Sequence, residues 1–359
     1  MRTLPVTYDG PRTVVDAVRG EACPDMVYPN HDSWDYVRVT LDPKLLPTLG
    51  KNLAGFEDPL ARLMLWQSVW DMVQDGRLPV TGYLDFALAN LHDEANESVE
   101  RQVIASIEDA VDYLVAMGPD ARPALDTYGP RMEAYFWQAL TASKAGSDRQ
   151  LLMLDSFVRA VTSAGGVARL ASLLDGSAAP EGLNIDQDRR WTLLRKLSAH
   201  AYRQAPELIA EEREHDASDE GRLRALAAEA AAPDEALKRT WMTRLLDPKR
   251  ETTLAEFRAV AGGLFPRNQA QLRSEFTADT IAALPAIEQA RDQEFYEPLI
   301  RGVLEPICSR DYLSEMDRAV ETAKSLHPEI QRILKDLRFD VARCLSVAAT
   351  LDAAHRAPQ

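Results

Sequence analysis

Asp58-Pro59-Leu60-Ala61-Arg62-Leu63-Met64-Leu65-Trp66-Gln67-Ser68-Val69-Trp70-Asp71-Met72-Val73-Gln74-Asp75-Gly76-Arg77-Leu78-Pro79 is the stretch that decides the fold. Asp58 can accept from free backbone N–H groups, and Pro59 supplies a helical φ at the first position, so a helix starts here. Leu60, Leu63, Met64, Trp66, Val69, Trp70 and Val73 cover a face broader than a surface helix needs, which predicts a buried helix. Gly76 and Pro79 close it.

Upstream the period is different. In Asp35-Tyr36-Val37-Arg38-Val39-Thr40-Leu41, Val37, Val39 and Leu41 share one face while Tyr36, Arg38 and Thr40 share the other, the alternation of a strand. Thr13-Val14-Val15-Asp16-Ala17-Val18 is short, β-branched and bounded by Gly10-Pro11 and Gly20, which predicts another strand. Between them, Val27-Tyr28-Pro29-Asn30-His31-Asp32 carries turn chemistry. Two or three strands do not make an independently stable sheet. They are expected to pack on the helices, on a partner, or on a domain outside this chain, the first hint of a fragment.

After Asp42-Pro43 the period becomes helical and remains so. Further helices are expected at about 80–92, 96–117, 120–144, 148–163, 186–202, 204–214, 219–231, 234–246, 253–262, 291–304, 309–325 and 328–354, with ends uncertain by ~2–4 residues. Gly118-Pro119, Gly165-Gly166, Gly176, Ala232-Pro233, Gly262-Gly263 and His327-Pro328 read as punctuation. Thr253-Leu254-Ala255-Glu256 fits a capping box. Helix pairs joined by short loops build α-solenoids, but no strict period is present. The expected fold is therefore mainly α. Its expected form is an irregular HEAT-like superhelix over 43–359, preceded in 1–42 by strands that end a β-sandwich domain.

At 359 residues and 46% hydrophobic, the chain can bury a large core and exceeds the size of most single cores. A formal charge of -15 argues against nucleic acid, whose binders present a basic face, and suits a cytoplasmic protein. No run approaches the ~20 apolar residues of a membrane span, and Met1–Thr7 lacks a signal peptide's apolar region. Cys23, Cys308 and Cys344 are far apart, odd in number and form no C-x-x-C pair, so three reduced thiols are expected.

The sequence offers no self-sufficient catalytic constellation. The six histidines are His31, His92, His200, His215, His327 and His355, and none begins H-E-x-x-H, the helical zinc motif. His92-Asp93-Glu94 reads as a solvated helix end, because adjacent acids point in different directions. Glu211 and His215 are spaced i, i+4 and are the sharper metal candidate, although a charged stretch between helices more often faces solvent. There is no G-x-S-x-G elbow, phosphate loop or dinucleotide fingerprint. Trp66, Trp70, Trp137, Trp191 and Trp241 fall in helical patterns and read as core anchors. No catalytic, cofactor-binding or metal residue is assigned.

Three stretches carry a family resemblance. Val27–Asp42, with Pro29-Asn30 and Tyr36 through Asp42, resembles the segment closing a β-sandwich domain in actinobacterial-type aminopeptidases N. Leu60-Ala61-Arg62, Leu65-Trp66, Trp70-Asp71-Met72-Val73 and Asp75–Pro79 resemble the helix that follows it there. Asp188-Arg189-Arg190-Trp191-Thr192-Leu193-Leu194 is similar to a third segment. Their order and spacing extend the likeness over nearly the whole chain.

The resemblance implies the C-terminal helical region of a zinc metallopeptidase. The family's zinc motif, second Glu ligand, tyrosine and G-x-M-E-N loop lie in an upstream thermolysin-like domain that this chain does not contain, so no site residue carries over. The implied role is lid and wall of a substrate chamber, non-catalytic alone, with a catalytic domain in cis or in trans and a peptide as partners. Zinc is expected in the intact enzyme and no cofactor in this chain. A free-standing helical-repeat module that binds peptides or a protein through its concave face is the alternative.

Overall fold

A computed structural model of the protein describes residues 2–356 apart from 9, 248, 250 and 251, and only the backbone of 352–356. The expected limits at residues 1 and 359, and the His355 side chain, lie outside that description. Among the described residues the regular structure is helical. The series runs α1 (Leu46–Asn52), α2 (Pro59–Gln74), α3 (Val80–Asn90), α4 (Glu97–Ala116), α5 (Arg122–Ala142) and α6 (Asp148–Ala160). It continues with α7 (Ala164–Leu174), α8 (Gln187–Ala199), α9 (Ala205–His215), α10 (Asp219–Ala230), α11 (Glu235–Leu245) and α12 (Leu254–Gly263). It ends with α13 (Ala270–Ser274), α14 (Thr277–Ala290), α15 (Gln293–Val303), α16 (Arg310–Thr322) and α17 (Pro328–Arg356).

The expected strands are not formed among the described residues. Asp16–Val18 is a short 3-10 turn, and 35–41 carries no ladder. The pattern holds over 38–41, where Val39 and Leu41 are buried and Arg38 and Thr40 exposed, but Val37, expected on the buried face, is exposed. What is missing is a neighbouring strand, without which alternation gives an extended segment and not a sheet. This segment is instead pinned to α2. Arg38 reaches Asp75 at 2.6 Å and Asp71 at 3.5 Å, and the Tyr28 hydroxyl lies 3.2 Å from Ser68 Oγ. Asn30 closes the intervening loop by donating to Asp35 O (3.0 Å) and accepting from Asp35 N (3.1 Å).

α2 starts as its sequence dictates, with Asp58 accepting from Leu60 N and Pro59 at the first position. Trp66 packs edge-on against Phe86 at 5.0 Å, and Trp70 against Tyr83 at 4.9 Å. Trp66 Nε1 has no hydrogen-bond partner among the described residues, a cost of about 1–3 kcal/mol. Burying an indole of ~200 Å² at ~25 cal/mol per Å² contributes about 5 kcal/mol, so packing wins.

α1, α7, α13 and α14 fall outside the expected spans. Gly165-Gly166 is not a break but the first turn of α7, capped by Ser163 Oγ accepting from Gly166 N. Gly262-Gly263 likewise ends α12 inside the helix. A Cβ on Gly263 would lie 2.4 Å from Ala227 O, so glycine lets α12 approach α10 closely. Pro285 masks α14, and Pro47 and Gly50 mask α1.

Apolar side chains gather into two cores. The first is built by α1–α9 and part of α10, and the second by α11–α16 with the first half of α17. Successive helices pair along the chain, and α17 packs on α15 and α16 and returns to α2, α3 and α4. The order of neighbours thus closes on itself. Along α17, Val341 belongs to the second core, Val347 and Leu351 to the first.

The three cysteines are not three thiols. Cys308, after α15, and Cys344, in α17, form a disulfide, and Cys23 is free and exposed. Sequence separation concealed the pair, since it takes the return of α17 to bring position 344 beside position 308.

Candidate functional site

Glu108, Asp109 and Asp112 lie within about one turn on the C-terminal half of α4, near the place where the two cores meet. On an isolated surface helix such a row is solvated. Here other elements aim cations at it. From α6, Arg159 reaches Glu108 at 3.1 Å and Asp112 at 3.2 Å. From the segment between α12 and α13, Arg267 pairs with Asp112 and also with Glu305 at 2.5 Å. Arg273 of α13 binds the other Glu305 oxygen at 2.9 Å and donates to Glu305 O and Pro306 O. The result is one continuous chain of alternating charge, Glu108–Arg159–Asp112–Arg267–Glu305–Arg273, drawn from both cores.

Local structure holds the Arg267–Arg273 segment across helix ends. Gln269 Nε2 donates to Ala231 O (2.7 Å) and Ala199 O (3.2 Å), the carbonyls that end α10 and α8. Lys196 Nζ donates to Arg159 O in the last turn of α6 at 3.0 Å. Cations and amide donors at helix C-termini satisfy carbonyls that have no partner within the helix.

Burial sets the electrostatics. Desolvation pushes the Glu108 carboxyl up to about 7, with Arg159 opposing and Asp112 adding to the rise. Desolvation brings Lys196 down to about 8 and His200 down to about 4, the latter helped by the Lys196 charge. Burial also lowers Arg273 against the pull of Glu305. The cluster therefore presents a protonatable carboxyl beside fixed guanidinium groups. This chemistry suits recognition of a charged or strongly polar group, and the cluster contains no nucleophile.

The candidates expected from the sequence lie elsewhere. Glu211 and His215 are both exposed on α9, and the residue between them that matters is Glu212, only 3% exposed. Arg190 holds it through Nε at 2.9 and 3.0 Å, and Gln187 donates to it at 2.8 Å. Those bonds, Arg190's first, hold the Glu212 carboxyl below its usual range. Within His92-Asp93-Glu94, His92 and Asp93 are exposed, but Glu94 is not part of a solvated end. It is sealed against Arg62 at 2.8 and 2.9 Å, and although burial raises its pKa, the Arg62 bonds and backbone amides bring it below normal.

The third family-like stretch acquires a structural role. Asp186 caps α8, Arg189 joins it to Asp155 of α6, Arg190 joins Glu212 of α9, and Trp191 Nε1 donates to Asp216 at 2.8 Å. Three helices are held by one turn of side chains. The Glu108–Arg273 cluster was missed because its members are spread over about half the sequence; only the i, i+4 acids Glu108 and Asp112 hinted at it.

The closed helical array and its N-terminal segment define a class, and comparison with known proteins identifies it. The chain belongs to the ERAP1-like C-terminal domain family, whose model matches residues 26–343. It is also 30% identical over 343 residues to "Aminopeptidase N" of Streptomyces lividans, a match covering 95% of this chain and 39% of that protein. The chain thus spans well under half the length of that relative. No helix of the described residues is long and apolar enough to cross a membrane.

Proposed function

We propose that this chain is the substrate-chamber and lid region of a zinc-dependent aminopeptidase, non-catalytic by itself and working with a catalytic domain in cis or in trans. The observation that carries the reading is the match over 95% of the chain to 39% of an aminopeptidase N, joined to the surface of the N-terminal segment. Trp34 is 85% exposed, Tyr36 fully exposed, Val27 66% and Val37 48%, an apolar strip beside the pinned residues Val39 and Leu41. Such a strip is costly in water and favours a covering partner. In this reading residues 1–42 complete a β-sandwich with strands of that partner, and 43–359 form the HEAT-like superhelical wall. The peptide substrate passes along the charged cluster, and the protein works in the cytoplasm. Zinc enters through the resemblance, as part of the catalytic domain, and no step is assigned to it here.

The test is a reconstitution. The purified chain is assayed with aminoacyl chromogenic substrates and added zinc, then mixed with a catalytic half from an aminopeptidase N. Turnover is expected from the catalytic half, with peptide-length selectivity restored on mixing and weakened when Trp34 and Tyr36 are changed to Ser. Chelator-sensitive turnover by this chain alone would overturn the reading. Failure of the two halves to associate would favour the free-standing binding module.

A further inference from the structure

The segment Leu304–Ser309 lies on the seam between the two cores and carries three unrelated attachments. Glu305 is shared by Arg267 and Arg273. Cys308 N donates to Ala116 O, the last residue of α4, at 3.1 Å. Cys308 Sγ is bonded to Cys344 Sγ. Cys308 packs against the first core while Ile307 packs against the second. Cys344 stands on α17 between Val341 of the second core and Val347 of the first. The covalent bond therefore joins two elements where they cross the seam, not within either core.

We propose that Cys308–Cys344 is a redox clasp, whose reduction frees the Leu304–Ser309 segment and loosens the charged cluster that Glu305 completes. Cys308 only borders the first core and Cys344, although buried, is a member of neither buried cluster, so removing the bond is expected to leave both cores in place. What is lost is the tether that holds Glu305 near Arg267 and Arg273. The remaining attachments are the Cys308 backbone hydrogen bond, the Glu305 ion pairs, the bonds from Arg273 and Tyr312 to the Glu305 and Pro306 carbonyls, and the buried Leu304 side chain. Each polar contact among them is individually weak.

Access decides the chemistry. Cys308 is partly exposed whereas Cys344 is 2% exposed, so an incoming thiolate attacks Cys308 Sγ. The S–S bond breaks as the mixed disulfide forms on Cys308, and Cys344 leaves as a thiolate that takes a proton. The second thiol of a dithiol reductant then displaces Cys308, which is protonated in turn. The protein disulfide gains two electrons and two protons, and the dithiol is oxidised to its own disulfide. A cytoplasmic dithiol pool would keep such a clasp responsive, whereas an oxidising compartment would hold it shut.

The test uses the full chain with Cys23→Ser, so that thiol titration reports the pair alone. Untreated protein, denatured without reductant, is expected to show no titratable thiol, and dithiothreitol-treated protein to show both. Hydrogen exchange is then compared for the oxidised protein, the protein reduced and alkylated in its folded state, and the Cys308→Ser variant. Amides in 304–309 and at the end of α4 should exchange about tenfold faster or more without the bond, with α6 and α12 unchanged. Two free thiols in untreated protein would overturn the proposal. So would unchanged exchange in 304–309, or an equal rise throughout both cores, which would make the bond a general stabiliser. If the variant does not fold, the reduced and alkylated protein decides alone.

Discussion

Glu133 in the first core and Lys238 in the second are both buried charges set against helix ends, but of opposite sign and at opposite ends. Glu133 accepts from Thr162 N and Ser163 N at 2.8 Å each and from Ser163 Oγ at 2.6 Å, where α7 begins. Lys238 donates to Ala230 O at 2.6 Å and to Leu264 O, where α10 and α12 end. The division extends further. The buried carboxylates Glu100, Glu133 and Glu212 belong with the first core, together with the Glu94-paired Arg62, and the buried cations Lys238 and Arg273 with the second. A closed helical array must bury helix ends, and each end exposes unpaired N–H or C=O groups. Glu133 covers an N-terminus with an anion and Lys238 covers C-termini with a cation, each complementing the helix dipole.

The largest effect is expected where a buried acid loses its cation. Arg190→Ala should cost about 3–5 kcal/mol at pH 7, because Glu212 would remain buried with Gln187 alone. The folded pKa of Glu212 is depressed, so its contribution is present above the ordinary carboxylate value and lost as pH falls through the depressed one. The variant should therefore approach wild type on acidification, and Arg190→Ala with Glu212→Gln should recover part of the loss at pH 7. Urea denaturation at several pH values reads this directly. A loss under ~1 kcal/mol would mean that water reaches Glu212 and would break the contrast.

The second core should answer pH in the same sense, stability rising with pH, but in an alkaline window instead of an acidic one. Desolvation lowers Lys238 to about 7 from 10.5. Between those values the unfolded chain binds the extra proton, so this group makes stability rise with pH, and its cost is fully present below about 7. Lys238→Met removes that slope but leaves Ala230 O and Leu264 O without their donor, at about 2–3 kcal/mol. Hydrogen exchange in α10 and α12 from pH 6 to about 9 separates the two effects. A variant that keeps the alkaline rise would show that another group produces it.

How much of this was legible follows from where each interaction lies in sequence. Helix α2 announced itself because its cap, its proline and its apolar face occupy one continuous stretch. Val39 and Leu41 kept their alternation although their sheet did not form, since alternation reports which side is buried and not what pairs with the edge. The aminopeptidase likeness was readable for the same reason as α2: Pro29–Asp42 and Leu60–Pro79 are compact motifs. The cluster Glu108–Arg159–Asp112–Arg267–Glu305 depends on the approach of the Arg267 segment to α4, and the bond from Cys308 to Cys344 on the return of α17, neither of which a local pattern encodes. Glu212 was obscured by its neighbours, because in Glu211-Glu212-Arg213-Glu214-His215 only helix phase distinguishes the buried acid.

The smallest effect tests the glycines that looked like a break. Gly165 and Gly166 both stand in the first turn of α7 with ordinary backbone, so alanine is sterically allowed at either by φ and ψ, and intrinsic propensity favours it. Their surroundings differ. A Cβ on Gly165 meets nothing nearer than Ser163 Oγ at 3.7 Å, whereas one on Gly166 would lie 2.6 Å from Glu133 Oε2 and 2.8 Å from its Cδ. That carboxylate is held by three short bonds and cannot retreat without lengthening them. Gly165→Ala should therefore be neutral or gain up to ~0.5 kcal/mol, and Gly166→Ala should lose about 1–2 kcal/mol. Thermal denaturation of the pair measures the difference, with Gly166→Ala in a Glu133→Gln background as the third corner of the cycle. A neutral Gly166→Ala would show that Glu133 has room to shift, and the anion at the start of α7 would then be a loose contact, not a fixed part of the first core.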